Sequence, residues 1–242
     1  MAIQPNRKYT TGMTGAFSDD YFSERLAAST LRESMYKSDQ SWLLKYFKKN
    51  EALSILDIGC ADGKFTSLLS TIGIPYGVEI NAAQRRSAES TYNLTVFESL
   101  EHAAASNLEF DCILLRGTLH HLSEAEIDFV IDLDPRYIVF LQSINTKSLA
   151  IRAIGADAFK VIYPDVFTKQ KVYLDSHIYI ENKMKLGNYK KTAINFPYIS
   201  TPYKKPLRDF SAFLRSWLFI KPLPSSFTNA LPGVIFRAIY SK

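Results

Sequence analysis

The chain has 242 residues, of which 47% are hydrophobic and 22% charged, a composition typical of a globular protein with a sizeable core. The first residues lack the apolar segment of a secretory signal, and no apolar run approaches the ~18 residues of a membrane span. Cys60 and Cys112 lie in or beside apolar runs, without the spacing of a metal site. We therefore expect free thiols, no bound metal and a cytoplasmic protein.

The net charge of +5 is unevenly distributed along the chain. Residues 181–242 contain eleven Lys and Arg against two acidic residues, whereas residues 1–180 contain 18 basic and 22 acidic residues. A solvated basic face is one explanation of this asymmetry. Attraction to an anionic acceptor or surface is the other.

The first fifty residues predict an extended arm followed by two helices. Residues 1–17 are rich in Gly and Thr, and Ser18 can cap a helix that ends near Tyr36. Ser38 can cap a second, short helix that ends near Asn50.

From Leu53 the pattern alternates between apolar strands and helices. The predicted strands are "LSILDIG", "PYGVEI", "LTVF", "DCILLRG" and "RYIVFLQSI", and the helices between them include "KFTSLLSTIG", closed by Gly73, "AAQRRSAES" and a capped "SEAEIDFVIDL". This order predicts βαβ crossovers and an α/β fold, a doubly wound, Rossmann-like, mostly parallel sheet with helices on both faces. Strands without polar alternation are expected when both faces of a sheet are covered.

The pattern after residue 146 is less regular. A helix that stops at Gly187, a following strand and a closing strand "GVIFRAIY" are expected. We predict a single domain over residues 1–242. It divides into an N-terminal arm with lid helices (1–50), a cofactor-binding half (51–146) and a substrate-side half with the basic tail (147–242).

The stretch "LSILDIGCADGKF" predicts a strand, a turn of small residues and the start of a helix, the arrangement that holds nucleotides in doubly wound folds. The dinucleotide fingerprint G-x-G-x-x-G/A fails because its sixth position, counted from Gly59, is Lys64. The pattern present is D-x-G-x-A-x-G, with a carboxylate two residues before the first glycine. Asp57 suits a cationic ligand group, such as an α-amino group beside a sulfonium.

Glu79 ends the next strand, twenty residues after Gly59. An acidic residue at that point accepts hydrogen bonds from the two ribose hydroxyls of an adenosine. The two acidic residues together, in the order strand, turn, helix, strand, predict a site for an adenosyl sulfonium.

Three of these segments resemble class I S-adenosylmethionine-dependent methyltransferases: "ILDIGCADGKF", "YGVEI" and "FDCILLRGTLHHL". The later "FPYISTPYKKPLRDF" and "LPGVIFRAIY" are similar to the tails of a methyltransferase group associated with bacterial surface polysaccharides and sugar modification. The front motifs cover roughly residues 50–145. One departure is Ala61, where many family members have Gly.

The resemblance implies S-adenosyl-L-methionine as the cofactor. The positions it assigns to cofactor binding are Asp57, Gly59, Cys60, Ala61, Gly63, Glu79, Ile80, Glu98, Ser99, Leu100, Arg116 and Gly117. The Asp that the family usually has after the third strand is not in its familiar place, so the adenine contact stays open among Glu98, Ser99 and Leu100. Within the turn, we interpret Cys60 as a small packing residue and not as a nucleophile.

Methyl transfer to a hydroxyl benefits from a base, and histidine is the natural choice near neutral pH. The "LHHL" pair resembles the loop of small-molecule and sugar O-methyltransferases in which one histidine serves as base. This implies His121, slightly favoured, or His120 as catalytic; capping or packing of the loop is the alternative. Asn145 lies near the position of an Asp in some sugar methyltransferases. It could orient a hydroxyl, while His177 and Tyr9 are further candidates for the substrate side.

We therefore expect O-methylation of a small-molecule, sugar or glycan acceptor by direct displacement. A nucleic-acid or protein methyltransferase that uses the basic C-terminal face is one alternative, although "RGTL" replaces the N/D-P-P-Y/F motif of base-amine chemistry. A catalytically silent cofactor-binding scaffold is the other alternative.

Overall fold

The computed structural model describes residues 29–48, 52–144, 177–195 and 235–242. The helices within these ranges are α1 (Ser29–Leu43), α2 (Lys64–Leu68), α3 (Ala82–Tyr92), α4 (Leu100–Ala105), α5 (Glu124–Asp132) and α6 (His177–Leu186). The strands are β1 (Leu53–Ile58), β2 (Gly73–Val78), β3 (Thr95–Phe97), β4 (Cys112–Arg116), β5 (Tyr137–Ile144), β6 (Lys190–Asn195) and β7 (Ile235–Ser241). Short 3₁₀ turns occupy Leu69–Thr71 and Leu119–His121.

The seven described strands form one sheet in the order β3-β2-β1-β4-β5-β7-β6. Strands β1 to β5 pair in parallel, and β7 runs antiparallel between β5 and β6. The prediction of a doubly wound, mostly parallel sheet is confirmed. The strand order reverses between β1 and β4, so the loops that leave their carboxyl ends diverge and flank a crevice.

Apolar side chains cover both faces of this sheet. Leu56 and Ile58 of β1 belong to a core that contains buried residues of α4, α5 and α6. Leu53 and Ile55, which point the other way, belong to a second core with α1 and α2. The alternation of one strand between two apolar layers explains why its sequence is apolar without interruption.

The prediction that two helices meet near Ser38 is wrong, because α1 runs through that residue without a break. Buried Tyr36 and Trp42 lie on either side of Ser38 and hold one continuous helix against the sheet. The Ser38 hydroxyl does not cap a helix; it accepts a hydrogen bond from Arg237 on β7. The predicted arm and the start of the first predicted helix, residues 1–28, lie outside the described residues.

Gly73 also has a different role from the one expected. It begins β2 and does not close the preceding helix, which ends at Leu68 and continues as a 3₁₀ turn. A Cβ atom at Gly73 would lie 2.0 Å from the carbonyl oxygen of Leu53, so glycine is required for β2 to pair with β1. The predicted cap of α5 is confirmed, since Ser123 and Glu126 form a reciprocal capping box.

The two cysteines are free and buried, as predicted. Burial raises the pKa of the thiols of Cys60 and Cys112, so neither is a reactive thiolate near neutral pH. Among the described residues no group of His, Cys, Asp and Glu could hold a metal ion. No helix in the described ranges is long and apolar enough to cross a membrane.

Candidate functional site

The turn after β1 is fastened to the end of β2 by backbone hydrogen bonds. The amides of Gly59 and Cys60 both donate to the carbonyl oxygen of Val78, over 2.8 and 3.1 Å. The amide of Ala61 donates to Oε2 of Glu79 over 3.0 Å. The turn therefore has a fixed position above the carboxyl ends of two neighbouring strands, which is where an α/β sheet binds ligands.

Gly59 is required both by its backbone and by its surroundings. Its φ is +76°, and a Cβ atom there would lie 2.3 Å from Cγ2 of Thr118. Thr118 lies in the loop after β4 and donates a hydrogen bond from Oγ1 to the carbonyl oxygen of Ile58 over 2.7 Å. The loops that leave β1 and β4 are thus in direct contact at the base of the crevice, and any larger residue at 59 would separate them.

Asp57 lies under the turn with only 2% of its surface exposed. Its Oδ2 accepts a short hydrogen bond from the hydroxyl of Thr66, 2.6 Å long, whereas its buried Oδ1 has no partner in the described structure. Burial raises the pKa of Asp57 to about 7, while the Thr66 hydrogen bond and the charge of Arg116 oppose this rise. A buried carboxylate oxygen without a partner fits a cationic or hydrogen-bond-donating ligand group.

Glu79 is the first residue after β2 and is 8% exposed. Its Oε1 accepts from the amide of Asn81 over 2.8 Å, and its Oε2 accepts from Ala61. Burial raises the pKa of Glu79, and these backbone hydrogen bonds oppose the rise. Each carboxylate oxygen can accept a second hydrogen bond, so the group is fixed in place and still able to hold two hydroxyls.

Asp57 and Glu79 both lie next to the turn that follows β1. The charge of Glu79 contributes to the raised pKa of Asp57, and both charges contribute to the raised pKa of Cys60, which lies between them in the turn. The two acidic residues that the sequence singles out are therefore brought together around one turn. Their carboxylate oxygens are hydrogen-bond acceptors, which fit the ribose hydroxyls and the α-amino group of S-adenosylmethionine.

The three candidates after β3 have different environments. Glu98 is exposed and lies 3.9 Å from both Arg85 and His102. The hydroxyl of Ser99 caps α4 by accepting from the amide of His102 over 3.1 Å. Leu100 is buried in the core. Of the three, Ser99 and Leu100 have structural roles of their own, and Glu98 has the exposed carboxylate.

Arg85 links this region to the end of β2. Its Nη1 donates to the carbonyl oxygens of Glu79 and Ile80 over 2.8 and 3.0 Å, and its Nη2 lies near Glu98. The side chain spans the gap between the ends of β2 and β3 and fixes the backbone on which Glu79 is carried. The sequence does not predict this role of Arg85, because nothing distinguishes one arginine among the polar residues of α3.

Arg116, at the end of β4, is turned toward α1. Its Nε donates to Oδ2 of Asp39 over 2.9 Å. Its guanidinium carbon lies 4.3 Å from the ring centre of Tyr36 and 4.8 Å from that of Phe65. The next residue, Gly117, adopts a φ of +65° as the chain leaves the strand. Arg116 is thus held by one ion pair and two aromatic rings.

Asp39 is the fully buried centre of a polar network that joins α1 to three strands. Besides Arg116, its carboxylate forms an ion pair with Nη2 of Arg237 at 2.6 Å and accepts from the amide of Gln142, which lies 3.0 Å from both oxygens. Gln142 has a φ of +55° at an irregularity in the pairing of β5 with β7. The sequence gives no signal of this network, because its members are as far apart along the chain as Asp39 on α1 and Arg237 on β7.

The histidine pair lies in the 3₁₀ turn that directly follows β4. The amide of His121 donates to the carbonyl oxygen of Thr118 over 2.8 Å, so this turn begins at the residue that contacts Gly59. The His121 side chain is half-buried. The side chain of His120 lies outside what the structure describes.

His177 begins α6, and its ring lies 6.2 Å from the ring of Phe236. Phe236 pairs with Ser143 near the end of β5, so His177 lies at the edge of the sheet where β5 ends. Partial burial lowers the pKa of His177 and favours its neutral form. Two other substrate-side candidates, Tyr9 and Asn145, lie outside the described residues.

The sheet order and the acidic crevice between β1 and β4 define a class I methyltransferase that depends on S-adenosylmethionine. The family model described as a methyltransferase domain matches residues 28–154, more than half of the chain, and the chain belongs to this family. A comparison with curated proteins finds no significant match.

Solved methyltransferase structures share the fold at low sequence identity. One from Archaeoglobus fulgidus, described as dependent on S-adenosylmethionine, is 19% identical with a TM-score of 0.59, over 93% of this chain and 100% of that chain. A possible histamine N-methyltransferase from Thermotoga maritima is 15% identical with a TM-score of 0.59, over 91% and 96% of the two chains. The magnesium protoporphyrin IX methyltransferase of Synechocystis, with bound S-adenosylhomocysteine, is 13% identical with a TM-score of 0.54, over 93% and 88%.

Proposed function

We propose that the protein transfers a methyl group from S-adenosylmethionine to an oxygen atom of a small-molecule, sugar or glycan acceptor, with His121, or its neighbour His120, as base. The observation that carries the proposal is the contact between the loops at the carboxyl ends of β1, β2 and β4. Glu79 accepts from the turn after β1, Asp57 lies under that turn, and the histidine turn begins at Thr118, which contacts Gly59. We further propose that the whole chain forms one domain around these loops.

The residues around the turn would hold the cofactor. Glu79 would accept hydrogen bonds from the ribose hydroxyls, and Asp57 would face the α-amino group of the methionine part. Among the residues after β3, exposed Glu98 is the best placed to meet the adenine, and Arg85 would keep it beside Glu79. When bound, S-adenosylmethionine supplies an electrophilic methyl group on a sulfonium.

The histidine turn would position the acceptor and take its proton. A ring nitrogen of His121 would accept the proton of the acceptor hydroxyl, which makes the oxygen a better nucleophile. Because the turn starts at Thr118, and Thr118 is fixed against Gly59, the base has a defined position relative to the cofactor turn. This juxtaposition is the requirement for a displacement reaction in which the enzyme chiefly aligns the reactants.

Within the part of the chain that the structure describes, four lysines near the C-terminus have acidic partners, which favours a small acceptor over a polyanion. Lys183 pairs with Asp128, Lys185 and Lys191 both pair with Glu181, and Lys242 pairs with Asp134. Lysines that already have acidic partners contribute less to the attraction of a nucleic acid. A glycan-type acceptor is supported by the resemblance of the tail segments to sugar-modifying methyltransferases.

The first experiment is isothermal titration of the protein with S-adenosylmethionine and S-adenosylhomocysteine. We expect saturable binding of both, and a protein that binds neither would end the proposal. The acceptor class is then found by incubating a cell lysate with cofactor labelled in the methyl group and separating glycans, lipids, small molecules, RNA and proteins. Label in the glycan or small-molecule pool supports the proposal, whereas label confined to RNA or protein refutes it.

The role of the base is tested with His121→Ala on the acceptor identified in this way. Loss of a general base is expected to lower kcat by about 10²–10⁴-fold and to remove the corresponding limb of the pH–rate profile. His102→Ala is the matched control for kcat at saturating cofactor, because that histidine is exposed on α4; since it lies 3.9 Å from Glu98, its cofactor affinity is measured separately by titration. Full activity of a variant that lacks both His121 and His120 would show that neither is the base.

A further inference from the structure

The end of β5 departs from the apolar pattern of the rest of the strand. Residues Tyr137 to Leu141 are aromatic or aliphatic, and two buried polar residues, Gln142 and Ser143, follow them. The hydroxyl of Ser143 is fully buried and has no hydrogen-bond partner in the described structure. Such a hydroxyl lowers stability, because it has lost its hydrogen bonds with water. The presence of Ser143 therefore calls for a role other than stabilising the fold.

A β-bulge decides which way Ser143 faces. Strand β5 advances three residues from Phe140 to Ser143. Over the same stretch its partner β7 covers only two, from Ala238 to Phe236. Within this stretch Gln142 adopts a φ of +55°. One extra residue in a strand reverses the alternation of the side chains beyond it.

The side chains around the bulge show this reversal. Phe140 belongs to the core that contains residues of α4, α5 and α6, so regular alternation would place residue 142 on that face and residue 143 on the other. Instead, Gln142 reaches α1, where its amide nitrogen lies 3.0 Å from both carboxylate oxygens of Asp39. Ser143 is directed to the opposite face, where its cross-strand partner Phe236 belongs to the same core as Phe140.

The face to which Ser143 is directed is also the face of the histidine turn. Leu119 and Leu122, which flank the histidine pair, are buried in the same core as Phe236, and the turn contacts β5. Strands β4 and β5 are parallel neighbours, so the turn after β4 and the end of β5 lie at the same edge of the sheet. The bulge thus brings a hydroxyl to the side of the sheet on which the proposed base lies.

The backbone at Gln142 is strained by this arrangement. A positive φ is unfavourable for glutamine, and such strain is concentrated at binding and catalytic sites. The hydrogen bonds with Asp39 hold Gln142 in place. The end of β5 therefore combines an unfavourable backbone conformation with an unpartnered hydroxyl, and a ligand that uses the hydroxyl explains both.

We propose that Ser143 binds the acceptor beside the oxygen that is methylated, and that the acceptor carries a second hydroxyl next to the reacting one, as a sugar does. Gln142 is the positioning residue that directs Ser143 to this face. Because the Ser143 hydroxyl is closed to solvent, the acceptor reaches it by displacing a neighbouring side chain. The half-buried ring of His177, 6.2 Å from the ring of Phe236, lies at the margin of this cluster. The assignment rests on the proposed function, since it concerns the acceptor side of the same site.

The test uses the acceptor purified from the pool that the lysate experiment labels. Ser143→Ala is expected to lower kcat/KM for that acceptor about three- to tenfold, the range of one lost hydrogen bond, mainly through a higher KM. The affinity for S-adenosylhomocysteine in isothermal titration should stay within about twofold of the wild type. The thermal unfolding midpoint should equal or exceed that of the wild type, because no hydrogen bond within the protein is lost. A merely structural role would lower it.

Ser54→Ala is the matched control. Ser54 also lies in a strand, β1, but near its amino end, where its amide donates to Asp111. This variant should change neither the kinetics nor the cofactor affinity.

The bulge is tested with Gln142→Gly and Gln142→Val. Both variants lose the amide that bonds Asp39, but glycine tolerates a positive φ and valine does not. Gln142→Val should therefore lose more of the acceptor kcat/KM than Gln142→Gly. Adding Ser143→Ala to Gln142→Val should cause little further loss, whereas additive losses would show that the bulge does not act through Ser143. Thermal unfolding verifies that each variant is folded.

Two results would overturn the assignment of Ser143 alone. One is a wild-type kcat/KM in Ser143→Ala, and the other is an equal weakening of the acceptor and of S-adenosylhomocysteine, which would indicate a general disturbance of the site. A wild-type protein that methylates none of the lysate pools would refute the proposed function itself, and this assignment with it.

Discussion

Ionisation of Asp57 should make the stability of the protein depend on pH. In the unfolded chain an aspartate titrates near its ordinary value of 3.8, whereas burial raises the pKa of Asp57 in the fold to about 7. The folded state therefore binds a proton that the unfolded state releases. The contribution of Asp57 to stability is complete below pH ~4, falls as the pH rises to about 7, and is constant above that.

The size of the effect follows from the two pKa values. Between pH 5 and pH 8 the free energy of unfolding should fall by about 2.5 kcal/mol on account of Asp57, since each pKa unit corresponds to about 1.4 kcal/mol. The groups that face Asp57 are Thr66, which donates to it, and the charges of Arg116 and Glu79. Glu79 also titrates with a raised pKa, so the effect must be isolated by comparison with a variant.

Asp57→Asn is that variant, because asparagine keeps an oxygen for the hydrogen bond with Thr66 and cannot ionise. Urea unfolding at pH 5, 6, 7 and 8 gives the free energy of unfolding of both proteins. The wild type should lose about 2.5 kcal/mol more than the variant over this range, with most of the loss below pH 7. If the free energies of unfolding of the two proteins changed in parallel with pH, the interpretation of Asp57 as a buried carboxyl with a pKa of about 7 would be refuted.

Three further predictions concern the same site. At pH 7 Asp57 is about half-ionised, so S-adenosylmethionine binding should release about 0.5 proton more in the wild type than in Asp57→Asn. Titration calorimetry in buffers of different ionisation enthalpy measures the difference, and equal values would contradict the contact with the ammonium. Gly59→Ala should lower the free energy of unfolding by more than about 3 kcal/mol and abolish cofactor binding, because the φ of Gly59 is positive and a Cβ there would contact Thr118. Gly117→Ala should lower it by only about 1–2 kcal/mol, because Gly117 has a similar φ but no atom within 4 Å of a Cβ. Similar losses for the two variants in chemical unfolding would show that the Thr118 contact does not matter. Asp39→Ala should lower the free energy of unfolding by about 3–5 kcal/mol, since it leaves two arginines without their carboxylate, and a loss below about 1 kcal/mol would mean that the network is solvated.

The parts of the site that the sequence predicts are local. The uninterrupted apolar runs predict β1, β4 and β5 because each strand is buried on both faces, and the Asp57 to Gly63 spacing predicts the turn because only small residues permit it. Glu79 follows from its place at the end of the next strand. The comparisons confirm the class of enzyme and the cofactor that these motifs indicate, and the particular residue contacts stay predictions.

The parts that the sequence does not predict depend on contacts between distant positions. Ser38 has the residue type of a helix cap, yet α1 continues through it because residues on both sides of it are buried against the sheet. Gly73 resembles a helix stop, although the carbonyl oxygen of Leu53 is what requires it. The residues around Thr118 and Asp39 in the sequence do not indicate their roles. Thr118 packs beside Gly59, and Asp39 pairs with arginines on two strands, so both roles depend on contacts between distant positions.

The placement of β7 has a consequence for how the protein is made. In the described structure β6 (Lys190–Asn195) pairs with β7 (Ile235–Ser241), which separates it from β5. During translation, β5 and β6 are both synthesised before β7, the strand with which each of them pairs. Nascent chains should therefore expose unpaired edges on β5 and β6 until Ile235–Ser241 has been synthesised. Association with chaperones should be strongest between the synthesis of β6 and that of β7.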